Sequence, residues 1–139
     1  MLAGRMDQKP ALVAGLPIFA GLEPRSRDAV AALAKVVAVP ADTVLMREDE
    51  PAESFYVIVS GTVRVERHGK FVRSMVEGGF LGEVALVEGS DRTATAICTT
   101  RSELLEFGTF EFGRVMATFP DVRARVEAAV ARRPRTEAP

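Results

Sequence analysis

The sequence predicts a mainly β domain, a small barrel or jelly roll with helices before and after it. Three observations carry the prediction. Between Val36 and Phe107, short apolar runs recur at 36–39, 44–47, 55–60, 63–67, 71–76, 94–99 and 104–107, each bounded by turn-forming residues. Inside them the period is two: Val63 and Val65 alternate with Arg64 and Glu66, as a strand with one wet face requires. Outside that span the apolar spacing lengthens to that of a helix face.

In chain order, residues 1–9 read as a flexible N-terminus, and Pro10 opens a short apolar piece reaching Ala14. Leu16, Ile18, Phe19 and Leu22, clustered around Pro17 and Gly21, form a helical turn that docks on the core. Glu23-Pro24 then starts a helix running to about Lys35, with Val30, Leu33 and Ala34 on its apolar face. The strands follow over 36–108. His68-Gly69 marks a tight hairpin and Ser60-Gly61 another turn. The acidic loop Glu48-Asp49-Glu50-Pro51 is expected to be solvated and to face away from any anion site. Thr109 is the expected cap of the next helix, with Phe112, Val115 and Met116 as its apolar face. Pro120 breaks that helix. A last helix from Asp121 carries Val122, Val126 and Val130 in a narrow stripe, and the chain frays from Arg132 into a flexible tail, 134–139.

The 139 residues are the size of one domain, assigned to 10–133 with helices over 10–35 and 109–133. Eighteen basic against nineteen acidic side chains leave a net charge of -1, so no electrostatic case for nucleic acid arises. No apolar run reaches the length of a membrane span, and the first residues lack the apolar core of an export signal, so a cytoplasmic setting is expected. One cysteine, Cys98, and one histidine, His68, exclude an intrachain disulfide and leave metal chemistry without ligands. Cys98 belongs to an alternating strand and is expected to be packed. An oxygenase built on a similar barrel needs clustered histidines, so the protein reads as no enzyme, without cofactor or metal.

The stretch from Glu77 to Ala96, EGGFLGEVALVEGSDRTATA, reads as the site. Gly78, Gly79 and Gly82 let the backbone turn tightly and approach a ligand. A helical turn over Val84 to Leu86 would present unpaired N–H groups, an environment that favours an anion. Arg92 adds a permanently charged fork suited to two phosphate oxygens. Glu83 would repel phosphate, so its natural partners are hydroxyl donors such as those of a ribose, or the guanidinium itself. The competing reading is a barrel corner with a surface ion pair from Arg92 to Asp91 or Glu88.

Leu81-Gly82-Glu83-Val84-Ala85-Leu86, a spacer, then Arg92-Thr93-Ala94, resembles the phosphate-binding cassette of cyclic-nucleotide-binding domains, placed here over 78–94. The resemblance continues from Leu16 to the last helix. It implies a double-stranded β-helix, or jelly-roll, barrel with N-terminal and C-terminal helices. It implies that Glu83 and the Gly82 amide hold the ribose 2′-hydroxyl, and that Arg92 with the amides around Val84 and Ala85 holds the cyclic phosphate. A C-terminal helix closes over the base in that family, which makes Val126 and Val130 the lid candidates; packing on the barrel or on a twin copy is the other reading of the stripe. Val65 and Val72 could line the base pocket or serve as core. Thr93 fits domains that answer to guanine and domains that answer to adenine, and the ligand expected is cAMP, with cGMP as the alternative. The function implied is a sensor that passes ligand binding to its C-terminal helices and on to an unknown effector protein or domain, with a homodimer left open. The rival is a docking domain that keeps the fold and uses no ligand.

Overall fold

A computed structural model describes residues 8–133. Three helical pieces lead in: α1 (Lys9–Ala14), a 3-10 turn (Pro17–Phe19) and α2 (Pro24–Leu33). Among the described residues eight strands follow: β1 (Lys35–Val39), β2 (Val44–Met46), β3 (Ser54–Ser60), β4 (Val63–Arg67), β5 (Lys70–Met75), β6 (Phe80–Leu81), β7 (Thr95–Cys98) and β8 (Ser102–Gly108). A short α3 (Glu83–Glu88) interrupts them after β6, and α4 (Thr109–Thr118) and α5 (Pro120–Arg132) complete the chain. The strands pair as two antiparallel sheets, ordered β1-β8-β3-β6 and β2-β7-β4-β5. This is the double-sheet jelly roll expected from the spacing, open at its edges as a sandwich rather than closed into a ring.

Period-two alternation distributes the core. On β3, Phe55 and Val57 join a cluster with the helices, whereas Tyr56 and Ile58 face the space between the sheets. β8 divides in the same way, Leu105 and Phe107 toward the helices and Leu104 inward. Both strands are therefore buried on two faces, which explains why FYVIV is a continuous apolar run. Phe55 is the hub on the helix side, with ring centroids 4.9 Å from Phe112, 5.7 Å from Phe80 and 5.8 Å from Phe107. Such tilted contacts suit the quadrupoles of the rings. Val30 and Ala31 of α2 pack on the same cluster, as do Val122 and Val126 of α5.

Several local expectations are corrected. Lys35 belongs to β1, not to the preceding helix, because it pairs with Glu106 of β8. Lys9 starts α1, and its Nζ donates to the Ala34 carbonyl at 2.9 Å, so the loose N-terminus does not extend that far; residues 1–7 lie outside the described residues. Thr109 is the first residue of α4 and its hydroxyl donates to the Glu53 carbonyl instead of capping the helix. Pro120 occupies the first turn of α5, where its missing N–H costs nothing. The glycine-rich stretch before the cassette also holds a strand absent from the runs above, β6, whose two residues pair with Tyr56 and Val57. The hairpin at His68-Gly69 is as expected, with φ of 54° and 75° at its two positions. Cys98 is fully buried, and burial pushes its thiol pKa up.

Candidate functional site

β6 delivers the chain to Gly82, whose φ of 98° turns it into α3. A β-carbon there would lie 2.8 Å from the Ser54 carbonyl oxygen and 2.9 Å from Arg92 Nη1, so the position requires glycine for both its conformation and its surroundings. The backbone then returns through Arg92, which is held on both sides of its peptide. Arg92 N–H donates to the Glu50 carbonyl and Asp49 N–H donates to the Arg92 carbonyl, each at 2.9 Å. The acidic loop thus serves through its main chain; none of its residues lines the cavity described below.

The Arg92 side chain is 5% exposed. Its Nη1 donates to the Gly82 carbonyl at 3.1 Å and its Nη2 to the Ser54 carbonyl at 2.6 Å. Burial lowers its pKa, against the pull of Tyr56, Glu83 and Glu53, and the guanidinium remains charged. Two carbonyls hold the fork in place without neutralising it, which is how a preorganised anion contact is built.

Arg92 lines a cavity of about 190 Å³ between the β4–β5 hairpin, the α3 segment and the end of α5. Gly82, Val84, Ala85 and Thr93 line it with Arg92, as do Val65 and Val72. Of the two lid candidates, Val130 lines the cavity with Ala131. Val126 does not: one turn earlier on α5, it is fully buried against the aromatic cluster and acts as core.

Glu83 is likewise not on the cavity wall. It is fully buried, and its Oε2 lies 2.8 Å from Nη1 of Arg133. Arg133 also donates from Nη2 to the Phe80 carbonyl at 3.3 Å, and it lines the cavity. The expectation that the chain is already loose at Arg132 and Arg133 is therefore corrected: Arg132 ends α5 and Arg133 ties it to the cassette, while 134–139 lie outside the described residues. A local reading had no signal for this pair, because its members are fifty residues apart. Arg67 and Arg73, also on the wall, carry no signal in the cassette motif, although alternation along β4 places Arg67 on the face of Val63 and Val65.

Burial pushes the Glu83 carboxyl above its ordinary 4.5, partly offset by Arg133. A carboxyl whose pKa is higher in the folded state contributes stability that is complete below the unfolded value and is lost as pH rises through the folded one. Glu83→Gln should therefore match the parent in denaturant midpoint near pH 4 and become the more stable of the two as pH rises above 4.5. Parallel denaturation curves across that range check the sign; a gap that moves the other way would show that Arg133 outweighs desolvation.

A jelly-roll sandwich carries a buried arginine beside a glycine-started turn, under a C-terminal helix, an arrangement chemically suited to a small anion. Residues 36–119, more than half of the chain, match the model of the cyclic nucleotide-binding domain. The chain belongs to that family. It is 26% identical over 119 residues to the cAMP-dependent protein kinase regulatory subunit of Aspergillus niger, covering 84% of this chain and 29% of that protein. It is 33% identical over 100 residues to the cAMP-activated global transcriptional regulator CRP of Escherichia coli, covering 68% of this chain and 48% of that protein. The solved Catabolite Activator Protein of Thermus thermophilus superposes with a TM-score of 0.76 at 25% identity, over 86% of this chain and 59% of that one. The chain spans less than half the length of these two curated relatives.

Proposed function

We propose that this domain is a non-catalytic sensor of a 3′,5′-cyclic nucleotide, and that ligand binding is passed to an effector through α5. The observation that carries the reading is the buried Arg92 fork on the cavity wall, next to Gly82, Val84 and Ala85. A cyclic phosphodiester carries one negative charge, which a fixed guanidinium and neighbouring main-chain amides can accept together. Thr93 adds a hydroxyl beside it. Relatives named for cAMP make that nucleotide the first to test.

Coupling requires α5 to bind more favourably in one ligand state than in the other. Two contacts at its end support this role: Val130 faces the cavity, and Arg133 joins Glu83. Glu83, fully buried and paired with Arg133, meets a ribose hydroxyl in this reading only when the end of α5 moves off it. Titration calorimetry with cAMP and cGMP tests the function, with amide exchange in α5 as the readout of coupling. Expected are saturable heat from at least one nucleotide and slower exchange in α5 on binding. No heat and no thermal shift from either would leave the fold to a docking role.

A further inference from the structure

β8 sends Leu105 and Phe107 toward the helices and Leu104 into the space between the sheets. The same alternation puts Glu106 inward, half-buried, where core packing asks for no charge. It lies opposite Tyr56 of β3, and Ser54, opposite Gly108, is its diagonal neighbour on the same face. Ser54 Oγ donates to Glu106 Oε2 at 3.0 Å. Burial pushes the Tyr56 phenol above its ordinary pKa and the charge of Glu106 raises it further, so the three side chains form one polar cluster at this end of the sandwich. Ser54 is where the cluster meets the anion site. Its carbonyl accepts from Arg92 Nη2 at 2.6 Å, while the Gly82 carbonyl accepts from Nη1. β3 and β6 stop pairing at Tyr56↔Leu81, so the fork bridges the two strands just past the end of their ladder. Ser54 is also the first residue of β3, and strand ends are the part of a ladder most prone to open. A side-chain anchor there acts on the very peptide that aims the guanidinium.

We infer that Glu106 is a positioning residue for the anion site: by holding Ser54 it fixes the carbonyl that sets Arg92. This role rests on the reading of Arg92 as the contact for a cyclic phosphate. Glu106 does not line the cavity, and its own charge opposes an anion, so any affinity it supplies comes through the fork. A donor already in place needs no ordering when the ligand arrives, whereas one that has lost a support must be ordered at that moment. For a single hydrogen bond the difference is about threefold to tenfold in affinity.

The test is calorimetric titration of the parent, Glu106→Ala, Glu106→Gln and Ser54→Ala with cAMP and cGMP, alongside NMR spectra of the arginine side chains without ligand, in which Arg92→Lys assigns the Arg92 signal. Expected is a loss of about threefold to tenfold for Glu106→Ala and again for Ser54→Ala, with the double variant no weaker than the worse of the two. Glu106→Gln keeps an acceptor for Ser54 and should recover to within about twofold of the parent. The Arg92 signal should shift in Glu106→Ala and return in Glu106→Gln, which a merely structural role would not produce. Parental affinity in Glu106→Ala overturns the inference, and so does tighter binding in Glu106→Gln, which would make Glu106 a distant repeller of the anion. Should Glu106→Ala fail to fold, Ser54→Ala, which deletes one oxygen, measures the same link. A parent that binds neither nucleotide removes the sensor reading instead. The Arg92 spectra then still decide whether Glu106 positions the fork, and an unmoved signal in Glu106→Ala or Ser54→Ala rules it out.

Discussion

Replacing Arg92 with alanine is expected to weaken cyclic-nucleotide binding by about 2–5 kcal/mol, the usual cost of truncating one partner of a buried, hydrogen-bonded charge pair. In affinity this is roughly thirtyfold to several thousandfold. The size follows from where the side chain sits. At 5% exposure the fork has little water to lose on binding, and two carbonyls already hold it in position. Ligand binding would then add contacts without ordering the arginine first. Arg92→Lys keeps the charge but cannot reach Gly82 and Ser54 carbonyls with a planar fork, so it should fall between the parent and the alanine variant. Calorimetry on the three proteins checks the order; alanine binding as tightly as the parent would remove Arg92 from the site.

Gly82→Ala should be damaging on two counts. An alanine at φ 98° is held in a left-handed conformation, at roughly 1–2 kcal/mol. Its β-carbon would also meet a backbone oxygen at 2.8 Å, which cannot swing aside, and overpacking of that kind costs roughly 1–3 kcal/mol. A loss of about 2–5 kcal/mol in unfolding free energy is expected from the sum. The second contact, 2.9 Å to Arg92 Nη1, falls on the fork itself, so binding should weaken even in the fraction that folds. Denaturant titration reads the first effect and nucleotide titration at low temperature the second. A variant with parental stability and affinity would mean that Gly82 is not the close approach described.

Much of the fold was legible because its cause is local. Alternation in Val63-Arg64-Val65-Glu66 marks one wet face, and His68-Gly69 marks a turn that tolerates positive φ, whatever lies elsewhere in the chain. The cassette was legible for the same reason: Gly82 and Arg92 are ten residues apart, and the spacing of glycine, carboxylate and arginine survives as a pattern. β6 was not, since two residues among glycines have no period, and only pairing with Tyr56 and Val57 makes them a strand. The stripe leaves Val126 open between lid and core, because it shows which residues share a face, not how far along the helix the core ends and the cavity begins.

What the amino-acid sequence alone determined here is the jelly-roll class and the cassette motif, each set by turns, alternation and short spacings. The tertiary structure decided which charges meet. Arg133 joins Glu83 across fifty residues, and a single extra residue at Val72 brings Arg73 to the cavity with Arg67. Pairing and burial over such separations depend on how sheets and helices pack, and the interaction of two charges depends on distance and on excluded water, neither of which a linear order of residues specifies.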